Sequence, residues 1–142
     1  MPASTSAAHD ILDLYLRGVA PATPTRVWMA LHTGDPGADG TANEVSAANW
    51  PSYARQDPAA AAAIATGFSA AAGKASSNLK EMLFPENDGA GNVTITHVTI
   101  RTHLTSTTAA TCKLIGTLIQ PKTAEPGDQL KFKIGEVDWS VE

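Results

Sequence analysis

Cysteine is almost absent. Cys112 stands alone, so no internal disulfide can staple this chain. It opens an apolar run beside Thr111, Lys113 and Leu114, which suits a small buried residue at a strand end better than a reactive thiolate. Aromatics are sparse at 6% and charged residues are few at 17%, while Ala and Thr abound. Small side chains bury little area each, so part of the stability is expected to come from a partner. Basic runs are missing too. The densest is the alternation Lys131-Phe132-Lys133, and the net charge is −4. Binding nucleic acid needs a basic stripe against the phosphates, so that class is excluded. No apolar run is long enough to span a membrane. The start, Met1-Pro2-Ala3-Ser4, lacks the charged and apolar regions of a secretory signal, which predicts cytoplasmic assembly.

Chemistry-bearing motifs are lacking as well. There is no phosphate-cradling glycine loop, no Gly-x-Ser-x-Gly, no His-Glu-x-x-His and no paired Cys-x-x-Cys. Three looser groupings remain. His32, Asp35, Asp39 and Glu44 cluster around one turn but miss the spacing of a calcium loop, and a carboxylate in Gly-Asp-Pro serves turn geometry. Glu86, Asn87, Asp88 and Asn92 form an oxygen-rich stretch that a polar hairpin turn explains equally well. His97 and His103 flank Arg101 with no nucleophile nearby. The expectation is no catalytic residue, no metal and no cofactor.

What is present reads as one domain over residues 1–142, long enough to bury a core. A helix is predicted over about 6–17. Ser4, Thr5 and Ser6 offer capping hydroxyls, Arg17 suits the last turn and Gly18 the stop. Ile11, Leu12, Leu14, Tyr15 and Leu16 make that helix very apolar, with Leu12 and Leu16 four apart. Docking on its own domain is expected. Residues 26–33 read as a strand apolar on both faces. Residues 44–46, 52–56, 64–71 and 79–84 read as short strands, and the alanine run after Asp57-Pro58 as a short helix or irregular segment.

Residues 93–102 form a long strand whose inward parity changes. It is either buried on both faces or reset by a bulge near Thr96-His97. Residues 113–120 read as a strand, and residues 121–128 as a turn. Alternation is clearest in Leu130, Phe132 and Ile134 and in Val137, Trp139 and Val141. Short strands separated by Gly/Pro turns predict a mainly β fold: an antiparallel β-sandwich or jelly-roll-like arrangement with an N-terminal α-helix.

Several segments, in order, carry a more specific signal. They include Val27-Trp28-Met29-Ala30-Leu31-His32-Thr33, Gly34-Asp35-Pro36-Gly37, Glu44-Val45-Ser46, Tyr53-Ala54-Arg55-Gln56, Leu83-Phe84-Pro85, Thr96-His97-Val98-Thr99-Ile100 and Glu125-Pro126-Gly127-Asp128. Over nearly the whole chain this pattern resembles a family of small tailed-phage and prophage structural proteins, usually labelled tail fibre or minor tail proteins, with head-decoration relatives. Residues 47–52, the alanine-rich stretch 58–72 and Arg101-Thr102-His103-Leu104 depart from it, and loops of that kind choose partners.

The resemblance implies a non-enzymatic virion protein, assembled in the bacterial host cytoplasm and repeated on a symmetric particle as a homotrimer or other symmetric oligomer. Its compactness and acidity favour a capsid decoration or cement protein bound to the major capsid protein. The alternative is a tail-associated module, such as a collar, knob, baseplate or fibre adaptor, contacting tail or neck proteins. A third reading has Trp50, in a loop beside Pro51, stacking on host-surface sugars, whereas Trp28 and Trp139 sit in strand patterns and read as core. Candidate interface or structural residues are Leu12, Leu16, Asp35, Pro36, Glu44, Trp50, Tyr53 and Arg55. Asp35 and Pro36 are expected to shape a loop, and Glu44 to pair with Arg55.

Overall fold

A computed structural model describes residues 3–140; Met1, Pro2, Val141 and Glu142 lie outside the described residues. The predicted helix is α1, Thr5–Arg17. Ser4 caps it, its hydroxyl accepting from Ala7 N–H at 3.1 Å. Gly18, at φ 68, closes it. Its N–H reaches Leu14 O at 3.2 Å, while Val19 N–H reaches Asp13 O at 3.0 Å, satisfying the last carbonyls.

Seven strands follow among the described residues: β1 (Trp28–His32), β2 (Ala75–Ser77), β3 (Met82–Leu83), β4 (Val93–Arg101), β5 (Cys112–Ala124), β6 (Lys131–Phe132) and β7 (Asp138–Ser140). All pairings are antiparallel. The main sheet has the order β1-β4-β5, and β2-β7 and β3-β6 form two short ladders. Met29, Leu31, Ile95, Val98 and Ile100 of the main sheet share one core with Met82, Phe84, Phe132 and Trp139 from the other side. The fold is thus mainly β and sandwich-like, and it is not a closed barrel.

Both alternatives for β4 hold in different halves. Its pairing with β5 shifts register between Ile95 and His97, as the parity change requires. The extra residues sit on β5: Lys122 faces Ile95 and Thr117 faces His97, so residues 118–121 form the bulge, with Leu118 against the core and Ile119 fully exposed. Beyond the shift, residues 98–101 are buried on both faces. Because the bulge takes up the slack, β5 continues through Pro121 to Ala124, four residues into the predicted turn.

The predicted strands 44–46 and 52–56 shrink to single bridges on the outer edge of β1, His32 with Glu44 and Met29 with Gln56. That edge is still fully used. Met29 N–H donates to Gln56 O, Thr33 N–H to Asn43 O, and Val45 N–H to Leu31 O. Between them Leu31 N–H donates to the Tyr53 hydroxyl at 2.9 Å, so a side chain stands where a strand would.

Residues 64–71 are not a strand. Ile64–Thr66 is a single 3-10 turn and Phe68 makes one bridge. The alanine run is not a helix either, despite its propensity. Asp57 overrides it: one carboxylate accepts from Ala59 N–H and Ala61 N–H, each at 2.8 Å, and pairs with Arg26. Ala60 and Ala61 are held at φ 50 and 66, backbone that L-residues adopt only under compulsion. Asp57→Ala is expected to cost about 2 kcal/mol and to loosen residues 58–63, since two amide donors lose their acceptor. Urea unfolding with amide exchange checks this, and unchanged protection over that loop would count against it.

Two buried asparagines join the short ladders to the rest. Asn78 donates to Lys80 O (2.7 Å) and Lys133 O (2.9 Å) and accepts from Val137 N–H at 2.9 Å. Asn87 donates to Gly91 O (3.0 Å) and Ala124 O (2.9 Å) and accepts from Gly89 N–H at 3.0 Å. Side chains of the oxygen-rich stretch 86–92 are thus engaged within the protein: Asn87 in its own turn and with Ala124, and Asp88 with Ser52.

Candidate functional site

Glu44, Tyr53 and Arg55 come together, as the predicted Glu44–Arg55 pairing requires. The edge of β1 positions them: Glu44 bridges His32, Tyr53 caps Leu31, and Gln56, next to Arg55 in the chain, pairs with Met29. Arg55 grips Glu44 in a fork, Nε to Oε1 and Nη2 to Oε2, both 2.7 Å. Its Nη1 donates to His103 O (2.8 Å) and Ser106 O (2.9 Å), so four of its five N–H donors tie residues 103–106 to the β1 edge. The Tyr53 hydroxyl donates to Glu44 Oε1 at 3.1 Å. Burial alone would raise the Glu44 carboxyl, but the Arg55 hydrogen bonds and charge outweigh it and hold the group below its ordinary value. Burial and the Glu44 charge push the Tyr53 phenol far up, so it stays a donor. A shallow cleft of about 300 Å³ lies over this clamp, edged by Leu104, Thr105 and Thr107. With its polar groups already satisfied by one another, the clamp shapes a loop rather than offering reactive atoms.

His32 lies just inside. Its Nδ1–H donates to Ala42 O at 2.8 Å and its Nε2 accepts from Thr99 Oγ1 at 2.9 Å. Asp35 and Pro36 form the loop between. Asp35 Oδ1 accepts from Gly37 N–H at 2.8 Å, Asn43 donates to Asp35 O at 2.8 Å, and Pro36 is buried with its carbonyl accepting from Ala42 N–H. Gly40 ends this loop at φ 68, and a Cβ there would lie 2.2 Å from Cys112 Sγ. Buried Arg101 donates to Gly40 O at 2.8 Å. Cys112 is buried as expected, and that burial pushes its thiol up even beside Arg101. Among the described residues no group of three or more His, Cys, Asp or Glu is arranged to hold a metal ion.

Burial lowers His32 below its ordinary 6.5, and Glu44 lies below 4.5. Both folded values are depressed, so both contributions are fully present above the unfolded values and lost as pH falls. Stability is expected to be flat above about pH 7, then to decline below about 6.5 by no more than ~1.4 kcal/mol per pH unit per group, with a second decline below about 4.5. Urea midpoints across pH 3–8 measure it. His32→Gln should flatten the upper decline, and a midpoint that rises on acidification would contradict the assignment.

Trp50 corrects the sequence reading. It is fully buried, its Nε1–H donating to Glu86 O at 3.0 Å, with Tyr53 and Phe84 next in the aromatic stack. No face is left for a sugar. Trp139 is core as expected, while Trp28 is only half-buried.

The helix is the second correction. None of its residues is buried. It is fastened by its polar side: Ser4 N–H to Lys113 O (3.0 Å), the Ser4 hydroxyl to Cys112 O, Thr5 N–H to Ala38 O (2.9 Å), and Lys113 Nζ to Asp10 (2.6 Å) and Ser6 (2.7 Å). Leu12 and Leu16 point away from the body, 53% and 77% exposed, with Tyr15 at 78%. The sequence showed an apolar helix but not which side would be tied down, because the tethering groups lie about a hundred residues away. Asn78, Asn87 and Asp57 were also missed, since a lone polar residue carries no signal of burial.

One comparison identifies relatives. A family model described as podophage GP4 fiber I protein gp80 matches residues 2–140. No curated protein matches the chain.

Proposed function

The chain belongs to the podophage GP4 fiber I protein gp80 family, and from that premise we propose that it is a non-enzymatic structural module of the tail fibre apparatus, contacting other tail proteins of the same virion. The observation that carries this reading is the family match itself, running over residues 2–140, from before α1 to the end of β7. A fibre family supports the tail-side alternative. The expected capsid decoration or cement role, with the major capsid protein as partner, gains no support from it and gives way. The buried ion pair and saturated clamp suit a rigid module whose loops present contacts. One core fed by all three sheets supports reading it as a single domain. Assembly in the bacterial cytoplasm and delivery on the particle follow from this reading; among the described residues no helix is long and apolar enough to cross a membrane.

Gold-labelled antibody on purified particles tests the proposal. Label confined to the tail end is the expected result. Label spread over the whole shell would overturn it and restore decoration.

A further inference from the structure

We infer that the outward face of α1 is a self-association surface whose occupant is α1 of a second copy of this chain. Three observations carry this. First, the helix is attached backwards for a globular domain: its polar side is bonded to the body and its apolar side faces solvent. Second, the outward side offers no unpaired helix charge to desolvate. Asp13 is paired with Arg17 at 3.0 Å and Asp10 with Lys113 at 2.6 Å. Third, Ala8, Leu12 and Tyr15 recur within α1 at intervals of four and three, the spacing of a coiled-coil seam, with Ile11 and Leu16 flanking it. A seam of that spacing is complementary to another copy of itself, knobs entering holes about a symmetry axis.

The area fits as well. At about 200 Å² per large side chain, the fractional exposures of Ile11, Leu12, Leu14, Tyr15 and Leu16 leave roughly 600 Å² of helix surface per copy, or about 1,200 Å² for a pair, the lower end of specific interfaces. Lipid is a poorer occupant, because an interfacial helix is rich in Lys and Arg and this one carries two Asp against one Arg.

Sedimentation of the purified full-length chain, from about 1 to 100 µM, tests this. The wild type is expected to associate, and Leu12→Glu/Tyr15→Glu to weaken association at least ~100-fold with an unchanged far-UV spectrum. Leu12→Cys provides an independent readout: on oxidation it should cross-link between copies, the native Cys112 being buried. A wild type that stays monomeric throughout overturns the inference, even if another tail protein then binds α1. So does a double variant that associates like the wild type, or a Leu12→Cys chain that never cross-links. Because the purified chain is used alone, this result and the location of the label on particles stand or fall separately.

Discussion

Arg55→Ala is expected to lower stability by about 3 kcal/mol, toward the low end of what breaking a buried ion pair costs because the Glu44 carboxylate keeps some contact with water. The Arg55 side chain is 4% exposed and that of Glu44 18%. Removing the guanidinium leaves Glu44 with the Tyr53 hydroxyl as its remaining hydrogen-bond donor, strips His103 O of its donor and leaves Ser106 O with only the long contact from Thr111 Oγ1 at 3.5 Å. The loss should be local as well as global, with amides of residues 102–108 exchanging faster. Arg55→Lys should recover little, since a point charge cannot span two carboxylate oxygens and two carbonyls at once. Glu44→Gln should cost less, about 1–2 kcal/mol, because the fork keeps an oxygen to donate to. Urea unfolding ranks the three. Recovery by lysine, or an alanine variant within about 1 kcal/mol of wild type, would show that the clamp does not hold the loop.

Trp50→Ala is expected to cost about 3–5 kcal/mol and to lower the thermal midpoint by on the order of 10 °C. Trp50 is the largest fully buried side chain and stands at the head of an aromatic stack through Tyr53 and Phe84 to Phe132. Truncation opens a cavity that the stack cannot close without leaving its packed geometry. Trp50→Phe should cost much less. It keeps most of the apolar volume, and Glu86 O still accepts from Ser52 Oγ at 2.8 Å. If the alanine variant unfolds like the wild type, the core placement is wrong and the exposed-loop reading returns.

The Trp50 case shows how the sequence and the structure divide. A tryptophan beside Pro51, outside any alternating pattern, looks like a loop residue, and Trp50 does lie outside the strands. What its surroundings in sequence could not reveal is that the loop folds inward, with Gly89 drawn so close that a Cβ there would meet Asn49 O at 1.9 Å. Asp57 gives the same lesson for backbone. Local propensity favours helix through the alanines, and one carboxylate bonded to two amides and Arg26 defeats it.

By itself the sequence determined the features that depend on neighbours a few residues away. These are the helix with its Ser4 and Gly18 ends, the buried double-faced strand at β1, the parity break in β4, the inward alternation of Leu130 with Phe132 and of Val137 with Trp139 (Ile134, expected on the same face, is 69% exposed), and the Glu44–Arg55 pair across a short loop. Tertiary structure alone decided which side of α1 is bonded down, where Trp50 points, and that the parity break is absorbed by a bulge on β5. Each of those depends on hydrogen bonds or packing between groups far apart in the chain, such as Lys113 with Asp10 or Trp50 with Glu86, and local periodicity carries no information about such distant partners.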